Sequence, residues 1–269
     1  MKILDTRACE FGYELIMVLP HAYYLYKNNI DFKVITCVGM EPFYYFLADN
    51  QLEIKYNKRR GAIPTGTPLK NIHFNKLDKT EWIFPPLKEK YISSTLNITF
   101  EKELLIISNK FTTEWGHAPI NFLSLKILDI LFEKLTPHYT LVYNRPLSKN
   151  IIQDHSSNMD LGDYDLIKNK YPSVLDINNI HNDKQIDYNK LQLILGANTT
   201  KHISVQGGNS ILSSLFGGVN IVYAKKGGEV THNSYKNWYG EFSGATVINV
   251  DDYSKLMALV QKYFLHEKI

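Results

Sequence analysis

The stretch His202–Glu229, HISVQGGNSILSSLFGGVNIVYAKKGGE, decides the fold. Ile203 to Val205 form a short apolar run that reads as a buried strand. Gly207 and Gly208 then let the backbone turn where a Cβ would clash, and Asn209 or Ser210 is placed to cap a following helix. Asn220 to Ala224 reads as the next strand, and Gly227-Gly228-Glu229 closes it with an acidic turn. The pattern is strand, glycine loop, helix, strand. The unpaired N–H groups and positive dipole end of a helix start attract anions, typically by ~0.3–1 kcal/mol per charge when exposed. The plainer alternative is a tight turn with an N-cap.

Working outward, residues 2–6 (KILDT) and 32–38 (FKVITCV) read as buried strands around a helical pattern at Tyr13 to Asn28, which Pro20 should kink or start. A second helix is expected over Glu41 to Asn50. Lys55 to Lys79, rich in Pro, Gly, Asn and Lys, reads as an extended loop. Glu103 to Ser108 is another strand, followed by a polar segment with Trp115, Gly116 and His117 and a helix to Leu135. A second series runs through Thr140 to Asn144, a helix near Tyr164 to Lys170, a strand at Ser173 to Ile177 and a helix at Tyr188 to Leu195. Past the glycine loop come a strand at Ala245 to Val250 and a helix at Tyr253 to Phe264. This double alternation favours an α/β fold of two Rossmann-like domains facing a cleft. The expected division is an N-terminal domain over residues 1–115, an interdomain helix over 116–138 and a C-terminal domain over 139–269.

The 269 residues suffice for a sizeable core, and a formal charge of +3 is too mild to demand nucleic acid. Lys58, Arg59 and Arg60 form one basic cluster, which reads as a solvated loop. Cys9 and Cys37 make no disulfide framework and no secretory leader is evident, so a cytoplasmic location is expected. No apolar run reaches the ~20 residues of a transmembrane helix; the closest, Phe122 to Leu135, is expected to be a buried helix, with peripheral membrane contact as the alternative.

Three further places carry chemistry. The loop after the first strand, Cys9-Glu10-Phe11-Gly12-Tyr13-Glu14-Leu15, belongs at the carboxyl edge of an α/β sheet, where ligands bind. Gly12 allows close backbone approach, and Glu10 or Glu14 supplies a carboxylate, either as general base or simply as a partner of the helix dipole. Arg145 follows the run Leu141-Val142-Tyr143, where its planar fork can grip a phosphate or form a surface ion pair. Glu229 is placed to accept hydrogen bonds from ribose hydroxyls, with His232 and Asn233 extending that wall. Gly61 to Gly66 has P-loop glycine spacing, but Thr67-Pro68 replaces the Lys-Ser/Thr pair. Asp163-Tyr164-Asp165 resembles a two-carboxylate metal motif without the preceding strand, and the histidines lack zinc spacing. No metal is expected.

Together, EFGYEL after the first strand and VQGGNSILSSLFGGVNIVYAKKGGE in the second half resemble glycosyltransferases of the GT-B type, specifically bacterial and large-virus proteins with an N-terminal Glu-Phe-Gly-(Trp/Tyr)-Glu-Leu segment. The resemblance implies a GT-B-like fold, an N-terminal acceptor side, a C-terminal domain for a nucleotide sugar, and a last helix packing back across the domains. It implies that Gln206, Gly207, Gly208, Asn209 and Ser210 bind the donor, that Arg145 neutralises its diphosphate, and that Glu229 faces the ribose. Phe11 and Gly12 would line the acceptor side, with Glu10, Glu14 or His117 as catalytic base. The implied partners are a nucleotide-sugar donor, as co-substrate in place of a cofactor, and a glycan acceptor. Pyruvyl transfer, nucleotide-sugar epimerisation and non-catalytic sugar or nucleotide binding are the alternatives on the same architecture.

Overall fold

The computed structural model describes residues 1–68, 79–94, 100–152 and 157–266. Its strands form two sheets, parallel at every pairing. The first joins β1 (Lys2–Asp5), β2 (Phe32–Cys37) and β3 (Leu52–Tyr56) in that order. The second contains β4 (Leu104–Ser108), β5 (Thr140–Asn144), β6 (Leu175–Asp176), β7 (Lys201–Val205), β8 (Val219–Tyr223) and β9 (Thr246–Val250). Its order is β6-β5-β4-β7-β8-β9. Near-continuous apolar runs such as LLIIS and TLVYN suit strands covered on both faces. Leu104 and Ile106 of β4 enter one core, while Leu105 and Ile107 enter the other. Counted from β4, the order is that of a doubly wound sheet, with its switch point between β4 and β7. The chain is thus a mixed α/β protein with parallel, Rossmann-like sheets.

β4 pairs with β5 and β7, in the middle of the second sheet. The expectation from sequence groups it with the first unit and puts an interdomain helix after it. The Leu125–Leu135 helix is instead the crossover from β4 to β5. Its Ile127, Leu128, Leu131, Phe132 and Leu135 are buried against the second sheet, each contributing roughly 1.5–3 kcal/mol of apolar burial. The division between the sheets therefore falls before Leu104.

The other face of the second sheet is covered by the helices Tyr188–Ala197 and Gly208–Ser213. Against the second of these packs a helical run over residues 11–27, whose turn Glu14–Val18 is π-helical. One core cluster joins Leu15, Leu19 and Val34 to Leu191, Ile211 and Ile106, so the two sheets share a hydrophobic layer. Pro20 does not break the run. It leaves the Ile16 carbonyl without its usual i+4 donor, and the Trp82 indole supplies one at 2.6 Å.

Several expectations are corrected. Glu41 to Asn50 forms only two 3-10 turns, Glu41–Tyr44 and Asp49–Gln51, because Pro42 removes a donor and the aromatic side chains pack locally. β3 begins just beyond the end of that expected helix and runs into the start of the extended loop; residues 69–78 of the loop lie outside the described residues. The expected strand at Ser173 to Ile177 shrinks to β6, because Asp176 caps a helix at Ile177–Lys184 by accepting from the Asn178 N–H. The final helix stays on the second sheet, with Leu256, Val260 and Phe264 in its core, and does not cross to the first. Among the described residues no helix is long and apolar enough to cross a membrane.

Candidate functional site

A cavity of about 330 Å³ opens at the carboxyl ends of the second sheet. Lys110 reaches it from beyond β4, Arg145 from beyond β5, Gln206 and Gly207 from beyond β7, and Glu229 from beyond β8. It therefore occupies the switch point, where a doubly wound sheet leaves room for a ligand. The opposite wall is the start of the 11–27 helical run: Glu10, Phe11, Gly12 and Tyr13. The walls meet backbone to backbone. A Cβ on Gly12 would lie 3.6 Å from the Gly208 Cα and 2.8 Å from the Ile211 side chain, and one on Gly208 would lie 2.8 Å from the Phe11 ring.

The glycine loop departs from its sequence reading in detail. Gly207, at φ +108°, occupies the N-cap position, and no side chain caps the helix. Asn209 lines the cavity while donating to the Asn109 carbonyl at 3.3 Å. Ser210 is buried, donates back to the Gly207 carbonyl at 2.8 Å and does not line the cavity. Its assignment as a donor contact is thereby corrected. The helix is also only the six residues Gly208–Ser213, too short for a strong macrodipole.

A chain of polar groups crosses the cavity floor. Lys110 Nζ donates to Gln206 Oε1 at 2.9 Å and lies 3.3 Å from Glu114 Oε2. Gln206 Nε2 donates to both Glu229 oxygens, at 3.1 and 3.0 Å. Asn121 fastens this chain from behind. Its Nδ2 donates to Glu114 Oε2 at 2.6 Å and to the Lys226 carbonyl at 3.0 Å, while its Oδ1 accepts from the N–H groups of Lys225 and Lys226. Lys110, Glu114 and Asn121 escaped the sequence reading. Lys110 had a usable signal, since it stands just beyond an apolar strand as Arg145 does.

Glu14 is fully buried and outside the cavity lining, so the structure corrects its assignment as general base. Its Oε2 pairs with Arg59 Nη1 at 2.8 Å, and its Oε1 accepts from the Thr36 and Tyr44 hydroxyls. Burial opposes the Arg59 charge, but Glu14 together with Cys37 and Cys9 outweighs it, and the guanidinium is held above its usual pKa. The basic cluster is thus split: Arg59 turns inward while Lys58 and Arg60 stay exposed. Arg145 lines the cavity but is already neutralised, with Nε 2.5 Å and Nη2 2.6 Å from the carboxylate of Asp163. It also stacks over Tyr164 at 4.4 Å. Asp163 is committed to Arg145 and the Tyr143 hydroxyl, Asp165 is exposed, and no His/Cys/Asp/Glu group suited to a metal occurs among the described residues.

His117 is exposed, pairs through its backbone with Glu114 and does not line the cavity, which removes it as a base. Its neighbour Trp115 does line the mouth, with 54% of its surface exposed and Lys226 5.9 Å from its ring. Glu10, Phe11, Gly12, Arg145, Gln206, Gly207, Gly208, Asn209 and Glu229 are brought together around the one cavity; Glu14, His117 and Ser210 are not. The Tyr13 phenol between these groups is raised above its usual pKa by burial and by the charges of Glu10 and Glu229.

These features define an α/β protein with parallel sheets and a polar cavity at a switch point. Comparison of the chain with protein-family models, curated proteins and solved structures gives no match.

Proposed function

We propose that this protein is a glycosyltransferase with a GT-B-like division of labour, moving a sugar from a nucleotide-sugar donor to a hydroxyl acceptor. The observation that carries the reading is the cavity at the β4/β7 switch point, walled on its far side by the start of the 11–27 helical run. Gly207, Gly208, Asn209 and Lys110 face the donor phosphates, and Glu229 with Gln206 faces the ribose. Trp115 offers its exposed ring face to a sugar or base. Of the lining carboxylates, Glu114 is fixed by the Ile120 and Asn121 amides and Glu229 by Gln206. Glu10 lines the acceptor wall of the cavity, and we assign it as the general base. The acceptor hydroxyl oxygen attacks the anomeric carbon, its proton passes to Glu10, and the carbon–oxygen bond to phosphate breaks with the electron pair leaving on the nucleotide.

A second reading, sugar binding without transfer, is favoured by the charge balance. Arg59, Arg145 and Lys110 are each already beside a carboxylate, which leaves little positive charge for a diphosphate. Thermal melting with a panel of nucleoside diphosphates, nucleotide sugars and free sugars, with and without EDTA, separates the two, because a ligand of the native state raises Tm by mass action. A shift with one nucleotide that survives EDTA supports the transferase. A shift with free sugars alone supports the binding module, and no nucleotide shift removes the transferase reading.

A further inference from the structure

Outside the cavity, a recess of about 310 Å³ lies at the carboxyl ends of β1 and β3. Four of its lining side chains are basic and exposed: Arg7, Lys55, Lys58 and Arg60. Among the described residues, none that lines it is acidic. The carboxylates on the adjoining strands are engaged: Asp5 accepts from the Arg7 N–H at 2.7 Å and the Tyr56 hydroxyl at 2.8 Å, and Glu53 pairs with Lys33 at 2.6 Å. Arg59, between Lys58 and Arg60, is drawn away by Glu14.

The backbone is built to hold this arrangement. Arg7 and Ala8 both adopt left-handed conformations, φ +49° and +57°, which non-glycine residues adopt at a cost of about 1–3 kcal/mol. The turn is fixed by the Cys9 N–H on the Thr6 carbonyl, and the Arg60 N–H donates to the Ala8 carbonyl, tying the two basic segments together. Like charges gathered in one concavity repel unless an anion joins them, and two guanidinium forks with two ammonium groups match the geometry and charge of phosphate oxygens. Each segment also borders the switch-point cavity, which Glu10 and Arg59 line.

We infer that the recess is a second ligand site, which binds a phosphate-bearing anion between Arg7, Lys55, Lys58 and Arg60. The site is independent of the transferase reading. Phosphate could reach it as a soluble ester or as a phospholipid headgroup. The test is titration calorimetry of the full chain with pyrophosphate, at low and high salt. The expected result is binding that weakens with salt and falls at least tenfold in the Lys58→Glu/Arg60→Glu variant, with melting unchanged, but persists in Lys110→Ala and in the distant Lys262→Glu. Flotation with phosphatidylglycerol vesicles but not phosphatidylcholine, lost in the double variant, identifies a headgroup. Pyrophosphate binding without flotation identifies a soluble phosphate compound. Absence of pyrophosphate binding, or binding that is lost in Lys110→Ala and retained in the double variant, overturns the assignment.

Discussion

Arg145 and Asp163, eighteen positions apart in the sequence, form a two-point ion pair behind the cavity, with both Arg145 and Asp163 almost wholly buried. Desolvation opposes the Arg145 charge, but the hydrogen bond and charge of Asp163, with Tyr164 and Tyr143, together outweigh it, so the guanidinium is held above its usual pKa. Its fork is spent on a protein carboxylate before any ligand arrives.

Breaking that pair from one side leaves a buried charge alone. Asp163→Asn and Arg145→Ala are each expected to cost about 3–5 kcal/mol in urea unfolding. An Arg145→Met/Asp163→Leu double variant is expected to recover much of that loss. If Arg145→Ala instead lowers nucleotide affinity while leaving the unfolding midpoint in place, the guanidinium is a ligand contact and not a strut.

The Gly12 and Gly208 backbones lie side by side, and a Cβ added at either glycine would come within 2.8 Å of a neighbouring side chain, Ile211 for Gly12 and Phe11 for Gly208. Gly208→Ala must displace the Phe11 ring, at an expected cost of about 1–3 kcal/mol. Because the displaced element is the acceptor wall, ligand affinity should fall together with stability. Gly116→Ala is the comparison, since a Cβ there meets nothing within 4 Å and any cost comes from its φ of +77°.

Acid sensitivity should trace to His202. Burial, reinforced by Lys88, lowers its folded pKa to about 3, and neither ring nitrogen has a hydrogen-bond partner within the described residues. The ordinary value of 6.5 applies to the unfolded chain. Between these values the unfolded state binds the additional proton, so His202 contributes its full stability above pH 6.5 and loses it as pH falls toward 3. The slope approaches about 1.4 kcal/mol per pH unit. His202→Phe should flatten this part of the curve, leaving the smaller contribution of His21, which burial also lowers. Unfolding free energies at stepped pH values check this, and an unchanged slope in His202→Phe would refute it.

Trp115 lines the cavity mouth and has little packing to lose from substitution. With its ring half exposed, Trp115→Ala should change stability by less than about 0.5 kcal/mol. Loss of ring stacking should weaken a sugar or base ligand by roughly tenfold, equivalent to about 1.4 kcal/mol. Fluorescence titration reads binding directly. Equal affinity in the variant would remove the platform role.

The apolar runs of β4, β5, β7 and β8 were legible because strands buried on both faces need unbroken hydrophobic sequence. β3 was not, since LEIKY is half exposed at a sheet edge and carries no such run. The placement of β4 was missed for a different reason. The long polar segment before Leu125 looks like a linker in sequence, yet it folds back at the cavity mouth through the pairing of Thr112 with Asn158. Gly207, Gly208 and Glu229 could be placed from local pattern alone. The partners that fix the roles of Glu14 and Arg145, namely Arg59 and Asp163, are remote in sequence, and no periodicity marks them.

Asn121 tests whether the polar floor acts as a unit. It is fully buried, and its amide joins Glu114, the Lys225–Lys226 turn and, at 3.4 Å, Gln206. Each such bond contributes about 1 kcal/mol net, and a partner left unsatisfied costs about 1–3 kcal/mol. Asn121→Ala should therefore lose about 3 kcal/mol or more in unfolding and release Glu114 from its fixed position. Asn121→Asp keeps the shape but sets a second carboxylate against Glu114, so it should be no better at pH 7 and should recover at acid pH as one of the pair is protonated. Asn209→Ala, which removes a single 3.3 Å bond, should cost well under half as much. Similar losses for Asn121→Ala and Asn209→Ala would mean that the floor is a set of independent contacts, and that ligand positioning does not depend on Asn121.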